Sequence, residues 1–127
     1  MRYDADRKPD AAAWLDLDED DRISKIVAYH RWKRIKLENE RVHAIAHLAV
    51  ENQVALGEPL VSATLARLMK EGLTRHDAIH AVGTALMGVI YDVGKNPKDK
   101  SDPNAQYQRE LAALTAASWR AQAEPDS

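Results

Sequence analysis

Apolar residues recur every three or four positions along most of the chain, which is the spacing of one face of an α-helix. The first such stretch carries Ile23, Ile26 and Val27 on one stripe. The last stretch carries Tyr107, Leu111 and Leu114, and no segment shows the strict alternation typical of a strand. The pattern predicts an all-α, single-domain bundle of four to five helices. The expected helices cover about 19–36, 40–56, 59–72, 74–93 and 104–120.

Residues that commonly start or stop helices lie at the borders of these stretches. Asp18, Asn39 and Thr74 have the short polar side chains that favour a helix N-cap. Gly57 ends the second helix, and Pro59 suits the first position of the third. We therefore expect a loose N-terminal arm over 1–13, a helical domain over 14–120, and a frayed tail over 121–127.

Composition and charge exclude several classes of protein. The 127 residues include 18 Lys and Arg against 20 Asp and Glu, so the net charge of -2 argues against a dedicated nucleic-acid binder. The absence of cysteine excludes disulfides and thiolate metal sites. No segment has the apolar length of a signal peptide or a membrane span, which favours a cytoplasmic protein with no membrane partner. The short basic run from Arg31 to Lys36 is interpreted as a solvated helix face.

The chemistry of interest lies in the histidines, of which the chain has five. His43, His47 and Glu51 follow one another at intervals of four, and His76 and His80 form a second pair with the same spacing. Side chains at i and i+4 lie on one helix face, so two histidines in this arrangement can bind one metal ion. The helix that carries the first pair is apolar nearly all round, which indicates burial.

The second pair lies beside Gly83, at the border of the core face of its helix. A glycine in a helix interior is costly, and here we expect it to let another helix approach the histidines. The roles of two further residues are left undecided. His30 fits a structural histidine beside Tyr29 but lies within reach of the site, and Glu40 fits a first-turn acid.

Two known groups of proteins show similar motifs. The window from Asn39 to Tyr91, with HAIAHLAVENQ and RHDAIHAVG, resembles an uncharacterised family of small bacterial helical proteins, a domain of unknown function. That resemblance implies an all-helical fold with a shared His/Glu cluster. The H-x3-E at His47 and the H-x3-H at His76 also resemble motifs of hemerythrin-type di-iron bundles. The last predicted helix here carries no histidine, so that resemblance is partial.

We expect the second and fourth predicted helices to pack together and to pool their site residues around one zinc or iron ion. His47, Glu51, His76 and His80 are the expected chief ligands, with His43 as a further ligand or as a residue that orients one. A metal-bound water would be the natural nucleophile of any hydrolytic reaction, with Glu51 as an alternative general base. The substrate and the reaction are not specified by the sequence.

The alternative is a non-enzymatic helical interaction module. In that case the His/Glu cluster is a buried hydrogen-bond network that fixes the register of the helices. The sequence also allows a homodimer.

Overall fold

A computed structural model describes residues 1–35 and 39–123. Within these ranges the chain forms seven helices and no strand. They are α1 (Ala11–Asp16), α2 (Glu19–Trp32), α3 (Glu40–Ala55), α4 (Pro59–Lys70), α5 (Arg75–Lys95), α6 (Pro103–Ala113) and α7 (Ala116–Ala123). The all-α class is confirmed, and the helix count exceeds the expected four to five. The end of the first helix expected near Lys36, and the tail from residue 124 onward, lie outside the described residues.

Most helix starts follow from the capping residues identified in the sequence. The side chains of Asp18, Asn39 and Thr74 each accept a hydrogen bond from the backbone N–H three residues further on. Pro59 is the first residue of α4, and Gly57 after α3 has a positive φ of 80°. These starts agree with the predicted ones because each cap satisfies a backbone donor that the helix itself leaves free.

The two additional helices arise from local capping that apolar periodicity does not show. Asp10 accepts from the N–H of Ala13 and starts α1 in the segment expected to be loose. The expected last helix is divided at Leu114, whose backbone is extended. Thr115 and Ser118 then exchange hydrogen bonds between each side chain and the other's backbone N–H, which starts α7.

The segment before α1 was expected to be a loose arm, and in the structure it is packed against the bundle. Tyr3 and Ala5 are buried. The carbonyl of Ala5 accepts from the Arg75 guanidinium, and the Asp6 carboxylate accepts from the N–H of His76. The segment therefore covers the start of α5, a long-range contact that local sequence pattern does not reveal.

Helix α3 lies between two apolar clusters. It contributes Ala44 and Leu48 to the cluster formed with the N-terminal segment and α2, and Val50 and Val54 to the cluster formed with α4, α5 and α6. The face of α3 between these two clusters carries the polar residues of the candidate site. Within the described ranges, every helix is too short or too polar to cross a membrane.

Candidate metal centre

All five histidines of the chain meet at one point between three helices. His30 comes from α2, His43 and His47 from α3, and His76 and His80 from α5. Each offers one ring nitrogen, and these five atoms lie within 4.8 Å of one another. The two predicted pairs are thus brought together, and His30 joins them while also packing edge-on against Tyr29.

The two histidine-bearing helices approach each other closely at Gly83. A Cβ atom placed on Gly83 of α5 would lie 3.5 Å from the Cβ of Ala46 on α3. Ala46 immediately precedes His47, so this contact adjoins the cluster. Another helix approaches beside the histidines at Gly83 as expected, but 3.5 Å is an ordinary contact distance, so an alanine would fit there too and the glycine is not what permits the approach.

The ring nitrogens face one another at short distances. The Nε2 atoms of His30 and His76 are 3.1 Å apart, and those of His43 and His80 are 2.7 Å apart. Each pair requires either one N–H between the two nitrogens or a shared cation. The Nε2 of His47 is buried and has no hydrogen-bond partner among the described residues. Such a group costs about 1–3 kcal/mol when it stays unsatisfied.

The spacing fits a single transition-metal ion. Imidazole nitrogens bind zinc at about 2.0–2.1 Å, so donors on opposite sides of one ion lie about 4.2 Å apart and adjacent donors about 3 Å apart. The distances above and the upper limit of 4.8 Å are close to these values. The residues present therefore fit one ion with modest movement of the rings.

A hydrogen bond to the backbone holds His30 in the tautomer that a metal ligand needs. Its Nδ1 lies 2.9 Å from the carbonyl oxygen of Ile26. A carbonyl can only accept, so Nδ1 carries the hydrogen. The lone pair of His30 is consequently on Nε2, the atom that faces the cluster.

His47 is oriented in the same way through Tyr3. The Tyr3 hydroxyl donates to the Glu51 carboxylate at 2.6 Å and lies 3.1 Å from Nδ1 of His47. Because its only proton goes to Glu51, the hydroxyl accepts from His47 Nδ1–H. The lone pair of His47 is then on the unpartnered Nε2, directed at the other histidines.

Glu51, expected as a ligand, is placed one layer further out. Its two carboxylate oxygens accept from Arg75 at 2.7 and 2.8 Å, and both side chains are buried. The five converging donors are imidazoles alone. The i+4 spacing places Glu51 on the histidine face of α3, but one turn further along the helix it meets Arg75 at the start of α5. Glu40 pairs instead with Arg31 at the surface.

Tyr3 and Arg75 are contacts of the candidate site that were not identified from the sequence. Arg75 directly precedes His76, and an arginine beside a predicted ligand was the only available signal for it. Tyr3 gave no signal because it lies 44 residues from His47 in a segment expected to be loose.

Burial keeps the histidines neutral and therefore able to bind a metal. It lowers the pKa of His43 to about 4 and that of His80 to about 2, with the neighbouring imidazoles adding to the effect. The pKa of His47 is lowered further for the same reasons, and burial also lowers the pKa values of His30 and His76. Burial and the charge of Glu51 raise the pKa of Tyr3 well above 10, so its hydroxyl stays protonated.

The centre is open on one side. A groove of about 380 Å³ is lined by His43, His47 and His80 and continues along Met87 and Trp119. The Trp119 ring stands edge-on to His80, with the ring centres 6.4 Å apart. His30 and His76 do not line the groove, whose lining includes residues of α3, α5 and α7.

Comparisons with known proteins found no similar protein. A scan against protein-family models found no match, and searches for similar curated proteins and similar solved structures found none either.

Proposed function

We propose that the protein binds one transition-metal ion through its five histidines. The observation that carries the proposal is the convergence of five neutral imidazoles on one point, with His47 Nε2 buried and unpartnered. Hydrogen bonds to Nδ1 of His30 and His47 direct their lone pairs inward, as the outer partners of metal-ligating histidines commonly do.

Of zinc and iron, the ligand set favours iron. Structural zinc is almost always four-coordinate, whereas five donors converge here. Imidazole also suits iron, and non-haem iron sites accept six ligands with positions left open for other molecules. Glu51 serves as a positioning residue for His47 through Tyr3 and does not bind the metal.

The alternative function is a structural hydrogen-bond network within an interaction module. The short distances in the pairs His30–His76 and His43–His80 favour it, because each pair can share one N–H. The network leaves His47 Nε2 without a partner, and a metal ion would satisfy that atom as well.

The metal content of the protein, purified without chelator or added metal, tests the proposal. About one equivalent of iron or zinc is expected, and the double variant His47→Ala/His80→Ala should contain none. The matched double variant His47→Leu/His80→Leu restores apolar volume without a ligand. The proposal is overturned if two results are found together: the parent protein binds no metal on reconstitution, and the leucine double variant is as stable as the parent. The histidines then form a hydrogen-bond network.

A further inference from the structure

The groove beside the histidines has the size and composition of a small-molecule site. Its volume of about 380 Å³ falls within the range of about 300–1,000 Å³ typical of ligand pockets. Three histidines form one end, and Val42, Met87 and Trp119 contribute apolar wall. None of the described residues that line it is Asp, Glu, Lys or Arg.

The charges around the histidines determine what a ligand in this groove must carry. Five neutral imidazoles donate no negative charge to a divalent ion, and the carboxylates whose charges affect His30 and His76 (Glu40, Asp6 and Asp77) are not among the converging donors. The nearest buried carboxylate, Glu51, is already neutralised by two hydrogen bonds from Arg75. No carboxylate among the described residues lines the groove, so a ligand that enters it brings the negatively charged donor, and the groove is an open route to His43, His47 and His80.

We propose that the groove binds a small organic carboxylate whose oxygen completes the coordination of the metal and whose apolar tail lies along Met87 and Trp119. This inference rests on the metal site proposed above. The carboxylate brings a negatively charged donor to the ion, and the apolar side chains that line the groove remove the tail from water. Each methylene that the groove fully buries should strengthen binding about fourfold.

Binding of three probes to the Co2+-loaded protein tests this inference. Elemental analysis first establishes the bound Co2+, and changes in its visible absorption then report acetate, hexanoate and hexanamide. Hexanoate should bind at least about tenfold more tightly than acetate, since it has four more methylenes and the groove is partly open. Hexanamide has the same length without the charge and should bind at least about tenfold more weakly than hexanoate.

Two methionine variants locate the tail. Met87→Ala removes part of the groove wall and should weaken hexanoate binding several-fold while acetate binding stays unchanged. Met69→Ala is the matched control, because Met69 is exposed on α4 and does not line the groove. It should change neither affinity.

The outcomes separate this inference from the metal site on which it rests. If Co2+ binds but hexanoate shows no preference over acetate or hexanamide, the carboxylate proposal is overturned and the metal site stands. Equal effects of the two methionine variants would also overturn it. If no Co2+ binds, the metal proposal itself fails, and the carboxylate proposal fails with it.

Discussion

Tyr3→Phe removes one oxygen atom and thereby breaks the connection between Glu51 and His47. The hydroxyl donates to Glu51 at 2.6 Å and accepts from His47 at 3.1 Å, and it is buried. Phenylalanine fits the same space, so the ring packing against Trp14 and Tyr29 is retained. The variant therefore tests the two hydrogen bonds alone.

The magnitude follows from what each partner loses. Glu51 keeps its two bonds to Arg75 but loses a charge-assisted bond of about 1.5–3 kcal/mol. The Nδ1–H of His47 is left buried without an acceptor, at a cost of about 1–3 kcal/mol. We expect the metal-free protein to lose about 2–4 kcal/mol of unfolding free energy, because some relaxation offsets the sum.

The same change should weaken metal binding. Without the Tyr3 acceptor, His47 is free to carry its hydrogen on Nε2, the atom that would bind the metal. Loss of such an outer partner typically costs about 10–100-fold in metal affinity. Competition against a chelator of known affinity measures this loss, and urea unfolding of the metal-free protein measures the stability.

Tyr107→Phe is the matched control. The Tyr107 hydroxyl donates to Gln53 at 2.9 Å, in a half-buried position and with no contact to the histidines. This variant should lose about 1 kcal/mol of unfolding free energy and none of its metal affinity. If the two variants have the same metal affinity, Tyr3 does not set the tautomer of His47, and the reasoning is refuted.

Three further predictions concern pH, packing and a buried charge. Since burial lowers the folded-state pKa of His43 to about 4, the unfolded chain takes up a proton that the folded protein does not as the pH falls below about 6.5. Each such histidine lowers the unfolding free energy by up to about 1.4 kcal/mol per pH unit between those two values, so urea midpoints that are constant from about pH 7.5 to about pH 5 would contradict the burial. Gly83→Ala should be neutral or stabilising in thermal unfolding, since its Cβ lies at ordinary contact distance from Ala46. Gly83→Leu should instead cost about 1–3 kcal/mol of unfolding free energy. Equal stabilities of the two variants would disprove the close approach of the helices. Arg75→Met leaves the Glu51 carboxylate buried and unpaired and should cost about 3–5 kcal/mol in urea unfolding, and adding Glu51→Gln should recover part of that loss; no recovery would mean that the charge is not the cause.

The parts of the fold that depend on local chemistry could be predicted from the sequence. Asp18, Asn39 and Thr74 start their helices as expected, because a cap acts on donors within its own first turn. The break at Leu114 was missed, although T-x-x-S at Thr115 is also a local signal, because Leu114 belongs to the apolar stripe of the expected helix. Apolar periodicity outweighed a cap that the sequence does contain.

The two histidine pairs of the candidate site could be predicted from the sequence. The residues that contact them from other elements could not. The i+4 spacing identifies which histidines share a helix face, and two such faces on adjacent helices can meet. The spacing does not indicate which residue of a third helix completes the site, so the role of His30 stayed undecided. It also does not tell what faces Glu51. That depends on Arg75 and Tyr3, which reach it from elements 24 and 48 residues away in the chain.

A crystal structure of the protein as purified, with anomalous scattering data collected at the absorption edge of its metal, is the most direct test of whether the five histidines bind one metal ion. A single peak is expected among the imidazoles of His30, His43, His47, His76 and His80, with Glu51 still paired to Arg75. No peak at the histidines, two peaks, or a peak bound by the Glu51 carboxylate would contradict that expectation.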